Sequence, residues 1–128
     1  MTKTESPDPD LCSSLGQIYE DPVARVEVLR EDSPPREEAT QKERIFKALA
    51  NTDRVRILDT LRESACCTCE LQAALDAPQS TIATHLQNLK RAGLVQSEKD
   101  GRWTYYRIED DAVREVLDAA STIQEGSE

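Results

Sequence analysis

The sequence predicts a mainly α-helical domain that carries one small β-hairpin. From residue 41 to residue 123, apolar residues recur at the spacing of packed amphipathic helices. Two of these helical runs are separated only by residues 76–78, which is the spacing of a helix-turn-helix. Two strand-like runs, residues 94–98 and 103–108, follow the second of these helices. Together the observations predict a winged helix-turn-helix.

Length and composition allow one folded core. The chain has 128 residues, of which 38% are hydrophobic and 4% aromatic, so it has room for one modest core and no second domain of normal size. No apolar run approaches the roughly 20 residues that span a bilayer, and the N-terminus lacks the apolar segment of a secretory signal. We therefore expect a cytoplasmic protein that does not contact membranes.

The net charge of -9 is unusual for a nucleic-acid-binding protein, but the charge is unevenly distributed. Residues 1–40 have 4 basic and 10 acidic side chains, residues 41–108 have 11 and 8, and residues 109–128 have 1 and 7. The predicted DNA-binding region is therefore basic, and the acid lies in the tails. Such an acidic exterior is favoured in a salt-rich cytoplasm, where self-repulsion is screened, which predicts a halophilic source.

The chain divides into three parts by composition. Residues 1–40 form an N-terminal extension that we expect to be partly disordered, with a short helix over residues 22–30 and a Pro-Pro linker over residues 31–40. Residues 41–123 form the winged helix-turn-helix and dimerisation domain, and residues 124–128 a disordered tail.

Three helices of this domain show an apolar stripe and serve as its scaffold. Asn51, Thr52 and Asp53 separate the first two with residues that end and cap helices. The last helix is expected to pack on the domain or on a second subunit. The stripes are Ile45, Phe46, Ala48 and Leu49; Val55, Ile57, Leu58 and Leu61; and Val113, Val116, Leu117 and Ala120.

The helix over residues 79–91 is the predicted recognition helix. Ile82, Leu86 and Leu89 form its apolar stripe, and the opposite side carries hydroxyls, amides and a guanidinium that can contact base edges or phosphates. A solvated surface without a ligand is the alternative interpretation. His85 lies at the flank of the stripe, where packing and phosphate contact are both reasonable. The candidate DNA-binding residues are Gln79, Ser80, Thr81, Thr84, His85, Gln87, Asn88 and Arg91.

The predicted hairpin has the composition of a wing. Its turn contains Gly101 and is flanked by Lys99 and Arg102, whose charges are suited to DNA phosphates. Trp103 and Tyr105 alternate with Tyr106 and Ile108, so at least one of these pairs is expected to pack in the core.

These segments resemble the ArsR/SmtB family of metal-responsive transcriptional repressors. The resemblance covers residues 43–117 and is carried by IFKALANTDRVRILDTLRE, CTCEL, STIATHLQNLKRAGLV and KDGRWTYYRI. It implies a homodimeric winged-helix repressor that binds double-stranded operator DNA with an inverted repeat, and the acidic composition adds the expectation of a haloarchaeal source. It also implies that a thiophilic ion releases the DNA.

In the family's arsenic, cadmium and lead sensors, a segment like ELCVCDL binds the ion, and it corresponds here to Cys67, Cys69 and their neighbours. One arsenic-sensing pattern has a third cysteine three residues later, where this chain has Gln72. Another takes cysteines from an N-terminal extension of the partner subunit, for which Cys12 is the candidate. Cys66 is additional to the usual pattern, and the zinc-sensing pattern on the last helix is unsupported because that helix has no histidine.

The chemistry of the thiols supports the same class of ligand. Thiolates favour As(III), Sb(III), Cd(II), Pb(II), Zn(II) and Cu(I), and three thiolates suit trigonal As(III) or Sb(III). In a regular helix Cys67 and Cys69 diverge by about 200 degrees, so one ion can bridge them only if the helix starts late or unwinds. Two ligand sets stay open, Cys66/Cys67/Cys69 and Cys12/Cys67/Cys69.

Two further interpretations of the cysteines remain. A helix start lowers the pKa of a thiol, which would also suit a redox-responsive repressor, and the cysteines of a DNA-binding regulator can also be incidental. A thiol oxidoreductase is disfavoured because no βαβ pattern surrounds the C-x-x-C at residues 66–69, so we expect no enzyme activity.

Overall fold

A computed structural model describes residues 14–126 of the chain. By contacts, the chain divides into two compact units, residues 1–40 and 41–128. In chain order the elements are α1 (Leu15–Ile18), α2 (Pro22–Asp32), α3 (Arg36–Leu49), α4 (Thr52–Thr60), β1 (Cys66–Cys67), α5 (Thr68–Leu75), α6 (Gln79–Arg91), β2 (Val95–Asp100), β3 (Trp103–Ile108) and α7 (Asp111–Gly126).

In the first unit, α2 begins at Pro22, as the sequence indicates. Asp21 caps this helix by accepting a hydrogen bond from the Ala24 N–H at 3.1 Å, and proline suits the first turn because that turn needs no N–H donor. The linker expected over residues 31–40 is shorter than predicted. Because α3 starts at Arg36, the two prolines separate two helices by only a few residues.

The core of the second unit is built from α4, α5 and α6, with the sheet and α7 contributing at its edges. The predicted stripe of α6 is confirmed, since Ile82, Leu86 and Leu89 are buried. The capping role of Asn51 is also confirmed, because its Oδ1 accepts from the Arg54 N–H at 3.1 Å. The largest fully buried side chains are Ile57, Leu58, Leu61, Leu71, Ile82, Leu86, Leu89 and Val95.

The fold class predicted from the sequence is confirmed, but the sheet has one strand more than the hairpin. The strand order is β1-β3-β2, with both pairs antiparallel. Asp100 pairs with Trp103, so Gly101 and Arg102 form a two-residue turn, and Gly101 supplies its positive φ of 67°. The third strand, β1, consists of Cys66 and Cys67 alone.

The turn between α5 and α6 is short and tightly defined. Asp76 ends α5 in the left-handed conformation with φ 53°, which Asp tolerates better than most residues. The Ala77 N–H then closes the turn on the Gln72 carbonyl at 3.2 Å. Pro78 is extended and precedes α6 as its N-cap.

Two of the predicted stripes are only partly covered. On α3, Ala48 is buried while Ile45 and Phe46 are exposed, and on α7, Val113 and Leu117 are buried while Val116 is exposed, as is Ile123 beyond the predicted stripe. Residues 124–126 were expected in a disordered tail but continue α7 to Gly126.

We predict that Ile82→Ala lowers the free energy of unfolding by about 2–5 kcal/mol, because the truncation leaves a cavity in the centre of the core. Urea unfolding followed by circular dichroism at high salt measures the loss. Ile18→Ala is the matched control, since Ile18 is 67% exposed, and should change the value by less than about 0.5 kcal/mol. Equal losses in the two variants would contradict the assignment of the core.

Candidate nucleic-acid interface and thiol site

The outer face of α6 presents the polar side chains that the sequence predicts for DNA contact. Gln79, Ser80, Thr84, Gln87 and Arg91 are exposed, whereas Thr81, His85 and Asn88 are partly buried at the flanks. The face is therefore a continuous row of hydroxyl, amide and guanidinium groups above the buried stripe. Such groups can pair with base edges in a major groove.

His85 is held by α4 rather than directed freely outward. Its Nδ1 lies 3.4 Å from Nη1 of Arg54, and its Nε2 lies 3.8 Å from Oδ2 of Asp53. Because a guanidinium can only donate, Nδ1 is the acceptor in the contact with Arg54, while Nε2 faces the Asp53 carboxylate. The structure thus favours the packing role over the phosphate contact for this residue.

Arg54 joins three helices and was not singled out from the sequence. Its Nε donates to the Ala48 carbonyl at 2.6 Å and its Nη2 to the Lys47 carbonyl at 3.3 Å. These carbonyls lie in the last turn of α3, where the helix leaves acceptors without internal partners. The signal in the sequence is a cation soon after a helix end, which is too common to predict such a contact.

The wing places two cations at its tip. Lys99 lies near the end of β2, and the guanidinium of Arg102 lies over the Trp103 ring with its Cζ 5.6 Å from the ring centroid. Stacking of this kind orients the charge while leaving it exposed. The prediction that at least one of the two alternating pairs of β3 packs in the core is confirmed, since Ile108 is buried and Tyr106 packs against the core.

The thiol segment begins in the sheet and ends in a helix. Cys66 and Cys67 pair with Tyr106 and Tyr105 of β3. Cys67 is then the N-cap of α5, with extended backbone, so α5 starts late enough for the 200-degree separation of a regular helix not to apply. Cys69 lies in the first turn of α5.

Each of the three thiols has a different environment. Cys66 is partly buried and Cys67 is buried, and their side chains point to opposite faces because they are neighbours in a strand. Cys69 is exposed and lines a cavity of about 580 Å³ at the turn, together with Gln72, Ala73, Asp76, Ala77 and Pro78. Within residues 14–126 the structure does not gather three His, Cys, Asp or Glu side chains around one point. Cys12 lies outside the described residues.

Local contacts separate the cysteines chemically as well. Burial, and then the negative charge of Glu70, raise the pKa of the Cys66 thiol, which is opposite to the lowering expected at a helix start. Glu70 also fixes the entry to the helix, because its Oε1 accepts from the Cys67 N–H at 2.9 Å. This role of Glu70 is not predicted from the sequence, although a Glu three residues after an N-cap is the usual signal.

Comparison with known proteins agrees with the fold. The model of the bacterial regulatory protein family arsR matches residues 51–97. An uncharacterized HTH-type transcriptional regulator of Methanocaldococcus jannaschii is 43% identical over 74 residues, which are 57% of this chain and 83% of the relative. The chain belongs to the arsR family. The family's members are DNA-binding transcriptional regulators, so the protein is a regulator and not an enzyme.

Two further relatives are metal-resistance regulators. The arsenic resistance regulator ArsR1 of Pseudomonas putida is 42% identical over 65 residues, 50% of this chain and 51% of the relative. A cadmium resistance regulatory protein CadC homologue of Staphylococcus aureus is 30% identical over 112 residues, 87% of this chain and 88% of the relative. That second match is so long that it includes much of the first 40 residues.

Solved structures share the architecture. The homodimeric winged helix-turn-helix domain of a possible ArsR-family regulator from Mycobacterium bovis aligns with a TM-score of 0.67 and 30% identity, covering 74% of this chain and 90% of that one. The antimony-specific transcriptional repressor AntR aligns with a TM-score of 0.65 and 29% identity, covering 73% of this chain and 85% of that one.

Across residues 14–126, no helix has the length and apolar character that crossing a membrane requires.

We predict that iodoacetamide modifies Cys69 well before Cys66 in the folded, reduced protein. Cys69 is exposed, whereas Cys66 is partly buried and its raised pKa leaves less thiolate at neutral pH. Peptide mapping by mass spectrometry gives the rate at each cysteine. In denaturant the modification rates of Cys66 and Cys69 should become equal. The rise of the Cys66 rate with pH should occur at a higher pH in the folded protein than in denaturant. Equal rates in the folded protein at neutral pH would refute the assignment.

Proposed function

We propose that the protein is a homodimeric repressor that binds operator DNA through α6 and the wing and is released by a thiophilic ion, with As(III) and Sb(III) favoured. Cd(II), Pb(II), Zn(II) and Cu(I) are the further ions that thiolates suit. The arsenic and cadmium regulators among the relatives and the antimony-specific repressor among the structures support this class of inducer.

One observation carries the proposal. Two thiols, Cys67 and Cys69, lie at the start of the helix that leads through a three-residue turn into the recognition helix. Because Cys67 is outside α5 and Cys69 is inside its first turn, a bound ion would connect the strand β1 to the helix. No other pair of thiols among the described residues is placed so directly before the DNA-binding elements.

The third ligand that we propose is Cys12 of the partner subunit. Cys66 is a poorer candidate, since it points to the opposite face of the strand from Cys67 and its thiol has a raised pKa. The long match to the cadmium regulator supports a shared N-terminal extension that could supply such a ligand. Three thiolates favour trigonal As(III) or Sb(III) over a tetrahedral ion.

Coupling between the ion and the DNA follows from the position of Cys67. Its thiol is buried, so ligation together with exposed Cys69 requires the β1–α5 junction to move. That junction is paired with β3 of the wing and is followed by the turn to α6. A coupling free energy of about 1–3 kcal/mol would lower operator affinity roughly 5- to 150-fold, which is enough to switch a promoter.

The proposed dimer uses the apolar side chains that one subunit leaves exposed. Ile45 and Phe46 on α3 and Val116 and Ile123 on α7 are the candidates, and the related domain from M. bovis is homodimeric. Two copies of α6 would then enter successive major grooves about 34 Å apart, with both wings on flanking backbone. The acidic tails fit a salt-rich, haloarchaeal cytoplasm as the setting.

We predict that Cys67→Ser and Cys69→Ser each leave operator binding intact and abolish release by arsenite and antimonite, because each removes one of the thiolates. Cys66→Ser is the matched control and should keep the wild-type response. Mobility shift on the DNA upstream of the protein's own gene measures both properties. The assay needs high as well as low salt, because phosphate contacts weaken steeply as salt rises.

Release of the Cys67→Ser protein by arsenite would overturn the ligand assignment. Cys12→Ser decides the third ligand, since an unchanged response and an unchanged binding stoichiometry would exclude it. Adding oxidant to the same assay tests the redox alternative, in which oxidant releases the DNA and the ions do not. If neither releases DNA, the cysteines are incidental.

We predict that Arg102→Glu weakens binding to all duplexes to a similar degree, because a wing cation that contacts phosphates contributes affinity without sequence information. Fluorescence anisotropy on operator and unrelated DNA measures the two affinities. Arg107→Glu makes the same charge change on β3 away from the tip and should have a smaller effect. Loss of discrimination at a single base pair in Arg102→Glu would contradict the phosphate role.

A further inference from the structure

A second cavity lies beside the C-terminal end of the recognition helix α6, at the opposite end from the turn at residues 76–78. It has a volume of about 340 Å³, and three helices supply its walls. The residues that line it are Arg44, Lys47 and Ala48 of α3, Arg54 of α4, Asn88 and Arg91 of α6, and Ala92 after α6.

The charge of this cavity is opposite to that of the whole chain. Arg44, Lys47, Arg54 and Arg91 bring four cations together, and among the described residues that line the cavity none is acidic. The chain as a whole has a net charge of -9. Four cations around one cavity repel one another unless an anion compensates them, so the arrangement favours an anionic ligand.

Helix ends account for only part of this charge. Both α3 and α6 end at the cavity, and each C-terminus carries about half a negative charge that cations in the last turn offset. Arg54 already satisfies α3 by binding the Lys47 and Ala48 carbonyls. Two helix ends therefore compensate about one of the four cations, and Arg44 lies a turn too early to serve either end.

The ion pairs in and near the cavity neutralise little of its positive charge, so most of that charge can interact with an anion. Lys47 lies 3.7 Å from Glu43, but both side chains are largely exposed, so this pair is screened by solvent. Arg91 donates to the Asn88 side-chain oxygen at 3.2 Å, which positions its guanidinium without neutralising it. Arginine forks and a lysine at such a site match the oxygens of a phosphate group.

We propose that this cavity is a phosphate-binding site and that its ligand in the complex is a backbone phosphate of the duplex bound by α6. The inference rests on the proposed function, because Asn88 and Arg91 belong to the same helix face. It adds Arg44 and Lys47 of α3 to the DNA interface, a helix that otherwise serves the core and the proposed dimer. A free phosphate compound is the other source of the same chemistry.

Arg44→Gln and Lys47→Gln test the site in the full-length protein, with Lys42→Gln as the matched control on the same helix outside the cavity. Arg54 is unsuitable because it also holds the end of α3. The first arm titrates inorganic phosphate at constant ionic strength and follows the backbone amide resonances of Ala48 and Ala92. The wild type and Lys42→Gln should show a saturable shift that Arg44→Gln and Lys47→Gln weaken or lose.

The second arm measures binding to an unrelated duplex over a range of salt concentrations, which requires neither the operator nor the inducing ion. Each cavity variant should reduce the slope of log affinity against log salt by about 1, and Lys42→Gln should leave the slope unchanged. This result, together with competition between phosphate and the duplex, identifies the DNA backbone as the source. A phosphate shift with unchanged slopes identifies a free phosphate compound and supports the site without the DNA contact.

The absence of a saturable phosphate shift, together with slopes equal to that of Lys42→Gln, would overturn the proposal. If the wild type binds no duplex at all, the proposed function fails, and the phosphate titration by itself then decides the cavity. If ions fail to release DNA, only the thiol site is contradicted. The phosphate titration and the salt dependence of duplex binding still test the cavity.

Discussion

The pairing of Cys66 and Cys67 with Tyr106 and Tyr105 is the constraint on which the functional elements depend. It ties the segment before α5 to the wing strand, and α5 begins at the next residue. Because α5 is eight residues long and the turn after it is short, the position of β1 also limits where α6 can lie. Two residue pairs therefore connect the thiols, the wing and the recognition helix within one structural unit.

Charge is distributed unevenly along the sequence, so a strongly acidic chain still has a basic middle region. The acid is concentrated in the first 40 and last 20 residues, whereas the cations of α6, the wing tip and the cavity beside α3 lie in the middle of the sequence. Local potential governs the approach of a duplex more than net charge does. The acidic ends add solubility and repel other acidic surfaces.

Helical periodicity predicted most of the fold, because it reports which face of each element is buried. The stripe of α6, the cap at Asn51 and the hairpin around Gly101 all follow local rules that apply before tertiary contacts form. β1 could not be predicted in this way, since two residues are too few to show alternation and the strand exists only through its partner. The exposure of Phe46 and Ile123 also escaped prediction, because an apolar stripe does not say whether the same subunit or another one covers it.

The residue types of the candidate site could be predicted from the sequence, but the surroundings of each side chain could not. The spacing of the cysteines indicates a thiophilic ligand, yet only the pairing of β1 places Cys66 and Cys67 on opposite faces. Likewise the polar face of α6 follows from its sequence, while the contacts of His85 with Arg54 and Asp53 depend on how α4 packs. These contacts join residues that are distant in the chain, and single-sequence patterns carry no information about them.

The burial of Cys67 has an energetic consequence for any switch that uses it. Moving a small apolar side chain out of the core costs on the order of 1 kcal/mol, and separating β1 from β3 adds the hydrogen bonds of a two-residue strand, each about 1 kcal/mol. This sum is similar to the coupling free energy of about 1–3 kcal/mol that typical regulators use. A fully exposed thiol pair would bind the ion without disturbing the fold, so ion binding would have little effect on DNA affinity. A sensor needs at least one ligand whose capture changes the structure, and under the proposed function Cys67 would be that ligand.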